Sequence, residues 1–424
     1  MKRALLSLIK NEWKENVWLV IELLVVALVI WTLLFYIVRQ VQDYRIPDGF
    51  NVENVYTAEI LLNDSILMQK YAPELMEEKI AESVADIQNL VDRYRDLPMV
   101  ESVAIGINML PYKFNALNVN MHLVSGNDTI SCIMNRRYMT PDAAKVIGLQ
   151  STEGKTPEQL SDLLSQNKFL ISSSSELEDL GYDIKEILPE SEIVEMDEKS
   201  SNDISGYIQH VKRSEYENTN YGTFIIPIQE NTPVIVNAQQ FAVRLKSGTE
   251  AEFEKIITND ISYNIQRNVS LINIHPIGYD RKIANWHIEV RNRTYAAGIM
   301  LLLFIVFLGL LGSFWSRVYF RTHDIAIRKT FGATDSEIFQ RFITEALILL
   351  SVAFILAVGI YICCLKPLSE GYLRYYTYFK GWEWDFALAG ALTFALMALM
   401  ILVGVGIPAR RAMKIQPAIA LKEE

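Results

Sequence analysis

Four long apolar runs, at residues 17–38, 296–316, 342–365 and 386–407, stand out from a chain whose other positions mix polar and apolar side chains. Each supplies the roughly 20 residues that a helix needs to cross about 30 Å of hydrocarbon, which predicts four transmembrane helices. Between the first and second runs the periodicity changes. Residues 54–62, 100–107 and 117–124 read as strands, whereas residues 73–97 set Leu75, Ile80, Val84, Ile87, Leu90 and Val91 at helical spacing. The order returns with a strand at 241–245, a helix at 249–263 and a strand at 269–274. Two strand–helix–strand units thus bracket a middle stretch. They predict a porter-like α+β subdomain assembled from both ends of residues 39–293, with a second subdomain inserted at about 129–233. The serine run Ser172–Ser175 and the acidic stretch 186–198 are expected as surface loops or partly disordered chain.

Composition fits a chain divided between lipid and water. Half of the 424 residues are apolar, too many for an ordinary soluble protein and too few for one wholly in lipid. The first run is too long for the apolar core of a signal peptide. It is followed by Arg39-Gln-Val-Gln-Asp43 without a small-residue cleavage site, so it reads as an uncleaved anchor. Short segments set orientation. The tail 1–16 has four Lys and Arg, the loop 317–341 five, the tail 408–424 four, and the loop 366–385 three. In a four-span chain the three richer segments share a side, so both termini and the loop 317–341 are expected in the cytoplasm. Residues 39–293 and 366–385 are expected outside. The fold class is then an α+β membrane protein: four transmembrane helices with a large extracytoplasmic α+β domain between the first and second.

Charge follows the same division. Residues 39–293 hold 24 Lys and Arg against 38 Asp and Glu, a net of −14, while the remainder is net +4. An acidic outer domain disfavours nucleic acid as a partner. Cys132 stands apart from the adjacent Cys363 and Cys364, which gives no disulfide framework. Trp13, Trp18, Trp315, Tyr319, Trp382 and Trp384 lie near the ends of the runs, where amphipathic rings are favoured. Glu22 is a charge inside the first run, about one turn from its start, read either as a relay or substrate contact or as a side chain snorkelling to the nearby face or pairing with another helix.

Catalytic chemistry is not legible. Gly148-Leu-Gln-Ser-Thr-Glu-Gly-Lys-Thr156 resembles a P-loop, but five residues separate its glycines where that motif has four. It reads instead as a turn before a helix capped at Thr156, with Pro157 and Gln159 in its first turn. His122, His210, His275, His287 and His323 lack metal-ligand spacing, and no nucleophile–base set stands out. Neither an intrinsic enzyme, a bound cofactor nor a metal is expected.

The segment Asp324–Thr334 carries the clearest local chemistry. Asp324 complements the positive end of a short helix over 324–331, and Arg328 and Lys329 its negative end. Gly332 is a stop able to take positive φ. Thr334-Asp-Ser-Glu337 is a capping box that starts the next helix. The result is a helix, a tight turn and a second helix running into the third apolar run. Such a unit suits either a grip for a cytoplasmic partner or an amphipathic helix lying on lipid headgroups through Arg328 and Lys329.

Ile325-Ala-Ile-Arg-Lys-Thr-Phe-Gly-Ala-Thr334 resembles the signature of MacB/FtsX-like ABC-transporter permeases, and the tail 407–421, with Pro408, Ala412, Pro417, Ala420 and Leu421, is similar to that family's closing motif. One span, a large outer domain and three further spans match its order. Asp324 stands where that family commonly has Glu, the middle insertion matches poorly, and no ATPase domain is fused. The resemblance implies a coupling helix that docks on a separate cytoplasmic ABC ATPase through Asp324, Ile325, Ile327, Arg328, Lys329, Phe331 and Gly332. ATP and Mg would be handled by that partner. It further implies paired permeases in a bacterial inner membrane, a periplasmic domain, and mechanotransmission: export of a periplasmic substrate, lipoprotein extraction or control of an envelope enzyme. A periplasmic adaptor or an outer-membrane protein would be a further partner.

Two small-residue faces, Ala353 with Ala357 and Ala387 with Ala391 and Ala395, suit close helix contact within the chain or with a second permease, a copy or a related chain. The alternative is an ATPase-independent receptor or scaffold with a ligand-binding outer domain.

Overall fold

A computed structural model describes residues 13–62, 73–113, 117–125, 128–174, 177, 183–187, 192–195, 198–200, 204–212, 214–216, 221–259, 261–320, 322–365 and 382–414. The chain divides into two compact units, Met1–Gln42 with Ile288–Glu424, and Asp43–His287. In chain order the elements are α1 (Trp13–Arg45), β1 (Val55–Leu62), α2 (Pro73–Arg95), β2 (Val100–Ile107), β3 (Asn118–Ser125), β4 (Asp128–Met139), α3 (Ala143–Val146), α4 (Pro157–Ser165) and β5 (Phe169–Ile171). They continue with α5 (Ile184–Ile187), β6 (Glu192–Glu195), β7 (Glu198–Ser200), β8 (Ile204–Tyr207), β9 (Gly222–Pro227), β10 (Gln240–Leu245), α6 (Glu250–Asn259), β11 (Ile265–Gln266) and β12 (Val269–Pro276). The last are α7 (Ile277–Phe320), α8 (Thr322–Thr330), α9 (Asp335–Ile360) and α10 (Trp382–Met413).

In the unit Asp43–His287, neighbouring strands run β12, β1, β10, β2, all antiparallel. The two strand–helix–strand units expected from the sequence therefore interleave: β1 and β2 flank β10, while β10 and β12 flank β1. This is the split arrangement of ferredoxin-like folds. Alternation along the strands sorts the side chains. Phe241, Val243 and Leu245 of β10, with Val103 and Ile105 of β2, join Ile87, Leu90, Val91 and Tyr94 of α2 and Phe253 and Ile257 of α6 in one core. Ala242 and Ala104, partners across the ladder, belong to a second core with Met109, Leu110, α3, Leu160 and Leu164 of α4, and Ile277 and Ala284 of α7.

The middle of the chain extends the same sheet. β4 joins β2 at Gly106↔Met139 and Ile107↔Tyr138, forms a hairpin with β3, and runs parallel to β9. Arg137 of β4 is fully buried, donating to the carbonyls of Asn108 (3.4 Å), Met109 (3.1 Å) and Val211 (3.0 Å). The serine run departs from expectation, because Ser172 and Ser174 are buried. Ser172 Oγ accepts from Thr223 N of β9 at 2.7 Å, and Ser174 Oγ accepts from Leu177 N, three residues on, at 3.3 Å. Within the acidic stretch, α5, β6 and β7 form where loop was expected, and the remaining positions lie outside the described residues. The helix expected over 249–263 ends at Asn259, followed by a 3₁₀ turn, Ile261–Asn264. There the Tyr94 hydroxyl donates to Asn264 Oδ1 at 2.5 Å.

Tyr56, Tyr94 and Tyr112 are buried. Burial pushes all three phenols above their ordinary range, aided by Glu254 for Tyr56, by Tyr263 for Tyr94 and by Asp48 for Tyr112. A phenol raised in the folded state contributes stability that is full below its unfolded pKa and lost as pH rises through the folded one. The unit is therefore expected to lose stability above a pH of about 10. Absorbance titration of tyrosinate should show these three ionising only as the fold opens.

In the unit Met1–Gln42 with Ile288–Glu424, parts of α1, α7 and α10, with α9, supply the apolar helices. Among the described residues four helical stretches are long and apolar enough to cross a membrane, Val17–Arg45, Ile277–Ser313, Asp335–Cys363 and Trp384–Arg411. α7 has 44 residues, about 66 Å of helix, so it runs on well beyond the about 20 residues a bilayer needs. Trp31 organises the packing: its indole stacks on Phe386 (4.3 Å between centroids) and Phe354 (5.1 Å) and donates to the Phe386 carbonyl at 3.1 Å. Asp385, almost wholly buried, accepts from Arg39 at 3.1 Å and from Gln42. The Glu22 carboxylate lies against Gly309 of α7, in space that a side chain there would fill, so it packs inside this unit.

Candidate functional site

The segment singled out in the sequence forms α8, a tight turn and the start of α9. At the end of α8, Gly332 takes φ +92°. Its N–H donates to Lys329 O (3.0 Å), and Ala333 N–H donates to Arg328 O (3.0 Å). These two bonds are the Schellman pair that satisfies orphan carbonyls of a helix end. Among the described residues nothing beyond its chain neighbours lies within 4 Å of where a Cβ would stand on Gly332, so backbone conformation demands the glycine.

Two residues later the capping box is formed in full: Glu337 N donates to Thr334 Oγ1 (3.3 Å) and Thr334 N to Glu337 Oε2 (2.9 Å). Lys329 Nζ bridges the turn to Asp335 Oδ1 at 2.8 Å. A C-cap, an N-cap and an ion pair therefore hold α8 and α9 in fixed relation.

The side chains divide by what they touch. Ile325 is buried in the core of its own unit together with Ile338 and Phe342 of α9, and Ala326 is buried beside it in the chain. Ile327 is half-buried, and Lys329 is committed to its ion pair. Arg328 is exposed, and Phe331 is 87% exposed at the tip. The backbone of Asp324 lies in α8. The segment thus presents a cation and an aromatic ring on a rigid support, with Ile325 fastening that support to the bundle. The sequence-based set omits Tyr319 and Phe320 as docking residues, although both are largely exposed at the end of α7 next to α8. Their signal was two aromatic residues past the end of an apolar run.

The small-residue faces part company. Ala353 and Ala357 of α9 are fully buried within the unit, whereas Ala387, Ala391 and Ala395 of α10 are exposed. Near the other end of α10, the Arg411 guanidinium lies 4.4 Å from the centre of the Trp315 ring. Among the described residues no group of three or more His, Cys, Asp or Glu side chains is placed to hold a metal ion. The P-loop-like stretch ends in a capped helix: Thr156 N donates to Gln159 Oε1 (3.0 Å) and Gln159 N to Thr156 Oγ1 (3.4 Å).

A set of apolar helices with a polar helix-turn-helix linking α7 to α9 is the architecture of a multi-span membrane protein. Residues 296–417 match the family model described as FtsX-like permease C-terminal. The motif 325–334 and most of the closing motif fall inside the matched segment. No curated protein matches the chain. Among solved structures, the extracellular domain of the noncanonic ABC-type transporter YknZ from Gram-positive bacteria aligns at 11% identity, covering 51% of this chain and all of that one, with a TM-score of 0.27. That likeness is too slight to support an argument.

Proposed function

We propose that the chain is the membrane subunit of an ABC transporter that takes its energy from a separate cytoplasmic ATPase, with α8 as the coupling helix. The observation that carries this reading is the α8–turn–α9 unit, held by a C-cap, an N-cap and the Lys329–Asp335 ion pair, which offers exposed Arg328 and Phe331. Arg328 supplies charge pairing, Phe331 an aromatic anchor, and Gly332 the turn that joins them to α9. Lys329 and Asp324 shape the local charge, while Ile325 and Ile327 brace the helix against the bundle. ATP and Mg are bound by the partner. Its cycle moves the helices and, through them, the α+β domain, with no substrate path across the bilayer.

The exposed Ala387, Ala391 and Ala395 face on α10 supports pairing with a second permease, because small residues let helix backbones approach closely. The reading places the chain in a bacterial inner membrane with both termini cytoplasmic and the α+β domain periplasmic. There it would act on a periplasmic substrate, a lipoprotein or an envelope enzyme, with the further partner supplied by the envelope.

Co-purification tests the coupling. An ABC ATPase encoded beside this chain is expected to associate with the wild type, and Arg328→Glu combined with Phe331→Ala to weaken that association at least tenfold. Failure of any ATPase to associate with the wild type would favour an ATPase-independent receptor or scaffold. Orientation is checked separately by cysteine labelling in intact cells. Glu252→Cys, exposed on α6, should react with an impermeant maleimide, and Ser336→Cys, exposed at the start of α9, should react only after lysis. The native Cys132 is unsuited as a probe because it is buried.

A further inference from the structure

The unit Asp43–His287 is joined to the remainder of the chain at only two places, one within α1 and one within α7. Any force carried between the units along the backbone passes through the end of α1 and the beginning of α7. Both are gripped by one short stretch of chain that follows β8.

Lys212, fully buried, holds the end of α1. Its ammonium donates to the carbonyls of Asp43 (2.8 Å) and Ile46 (2.5 Å), and to that of Glu215 (3.3 Å), and lies 3.3 Å from the Asp48 carboxylate. Its backbone N–H donates to Asp48 O at 3.2 Å. The carbonyls of a helix end lack partners within the helix, and a cation there also complements the helix dipole. Three residues on, the buried Glu215 holds α7: its carboxylate accepts from the Arg281 guanidinium and from Asn285 Nδ2 at 2.8 Å. The Tyr44 and Tyr216 rings pack with centroids 5.5 Å apart.

The gripping stretch is itself anchored. Arg137 donates to Val211 O (3.0 Å), Val211 N donates to Thr223 Oγ1 (3.3 Å), and Gln209 N donates to Gln150 O (2.8 Å). Gly49, at φ +78°, lets the His210 carbonyl occupy the space a Cβ would need. Burial lowers the Lys212 pKa against the pull of Asp48, Asp43 and Glu215. Buried ion pairs cost desolvation that an apolar contact would not, and their best-attested use is to fix register or to switch.

We propose that Lys212 and Glu215 form a clamp that makes the end of α1 and the beginning of α7 move as one body, so that displacement of either helix reaches the α+β domain through both. The clamp stands on the contacts above; its role in transmission rests on the permease reading.

The test uses the full chain in nanodiscs, with the three native cysteines replaced and spin labels at Arg45→Cys and Lys282→Cys, both exposed positions. The parent is expected to give one narrow distance distribution, and Lys212→Met and Glu215→Gln each to widen it at least twofold. The double variant should widen it no further than the stronger single one, as one device would. Unchanged widths in variants that retain the parent's circular dichroism would overturn the clamp. Hydrogen exchange on the wild type keeps the test open if the variants misfold: the Lys212 amide should be as protected as the β10 amides, and rapid exchange there also overturns the proposal. Neither readout needs the ATPase, so failure of ATPase co-purification would sink the permease reading and leave the clamp to be decided by these measurements.

Discussion

Gly332→Pro is expected, with α8 as the proposed coupling helix, to weaken association with the proposed ATPase partner more than tenfold while leaving the helical content of the chain nearly unchanged. Proline fixes φ near −65° and lacks an N–H, whereas Gly332 sits at +92° and donates to Lys329 O. The Schellman pair would be lost, the last turn of α8 would reorganise, and Arg328 and Phe331 would no longer be held in fixed relation to α9. Gly332→Val should act in the same direction, since a β-branched residue is disfavoured at positive φ. Gly332→Asn should retain most of the association, because asparagine tolerates the left-handed region and no neighbour lies where its Cβ would stand. Quantitative pull-down of the ATPase with the three variants separates the loss of a turn from the loss of a side chain. Equal binding by the proline and asparagine variants would show that the turn is not what the partner reads.

Arg137→Leu is expected to destabilise the α+β unit by about 3 kcal/mol or more, the scale set by stranding buried hydrogen-bonding groups. Leucine fills much of the space, but the carbonyls of Asn108, Met109 and Val211 would all lose a donor in a site with no exposed surface. Because Val211 adjoins Lys212, the loss should also loosen the stretch that grips α1. Urea unfolding of the full chain, followed by near-UV circular dichroism, gives the change in midpoint. Arg137→Lys should fall between wild type and leucine, since an ammonium cannot span the three carbonyls as a guanidinium fork does. A midpoint unmoved by leucine would mean that those carbonyls find other donors.

What could be read along the chain and what could not are separated by the distance over which each feature is decided. The caps at Thr156 and Thr334 and the stop at Gly332 are settled within one helical turn, so residue type and spacing identify them. The strand–helix–strand units at each end of the α+β domain were legible for the same reason: periodicity of two or of 3.6 is local. The burial of Ser172 was not, because its partner Thr223 lies 51 positions away on β9, and a serine run without such a framework reads as loop. Lys212, Glu215 and Arg137 gave no signal. Lys212 meets Asp43 across 169 positions, Glu215 meets Arg281 across 66, and Arg137 meets Val211 across 74. Charged residues with such remote partners look like any solvated side chain.

By itself, then, the sequence determined the four apolar helices, the capped turn between α8 and α9, the acidic character of residues 39–293 and the permease-like motif, since each depends on composition or on neighbours within a few residues. Only the tertiary structure decided that the two halves of the α+β domain interleave and that Ile325 faces inward while Phe331 faces out. It alone covered Ala353 and Ala357 but left Ala387, Ala391 and Ala395 bare, and it alone placed Lys212 and Glu215 against the ends of α1 and α7. Those outcomes depend on which remote surfaces meet, and the burial and pairing of a side chain are properties of that meeting rather than of its own stretch of chain.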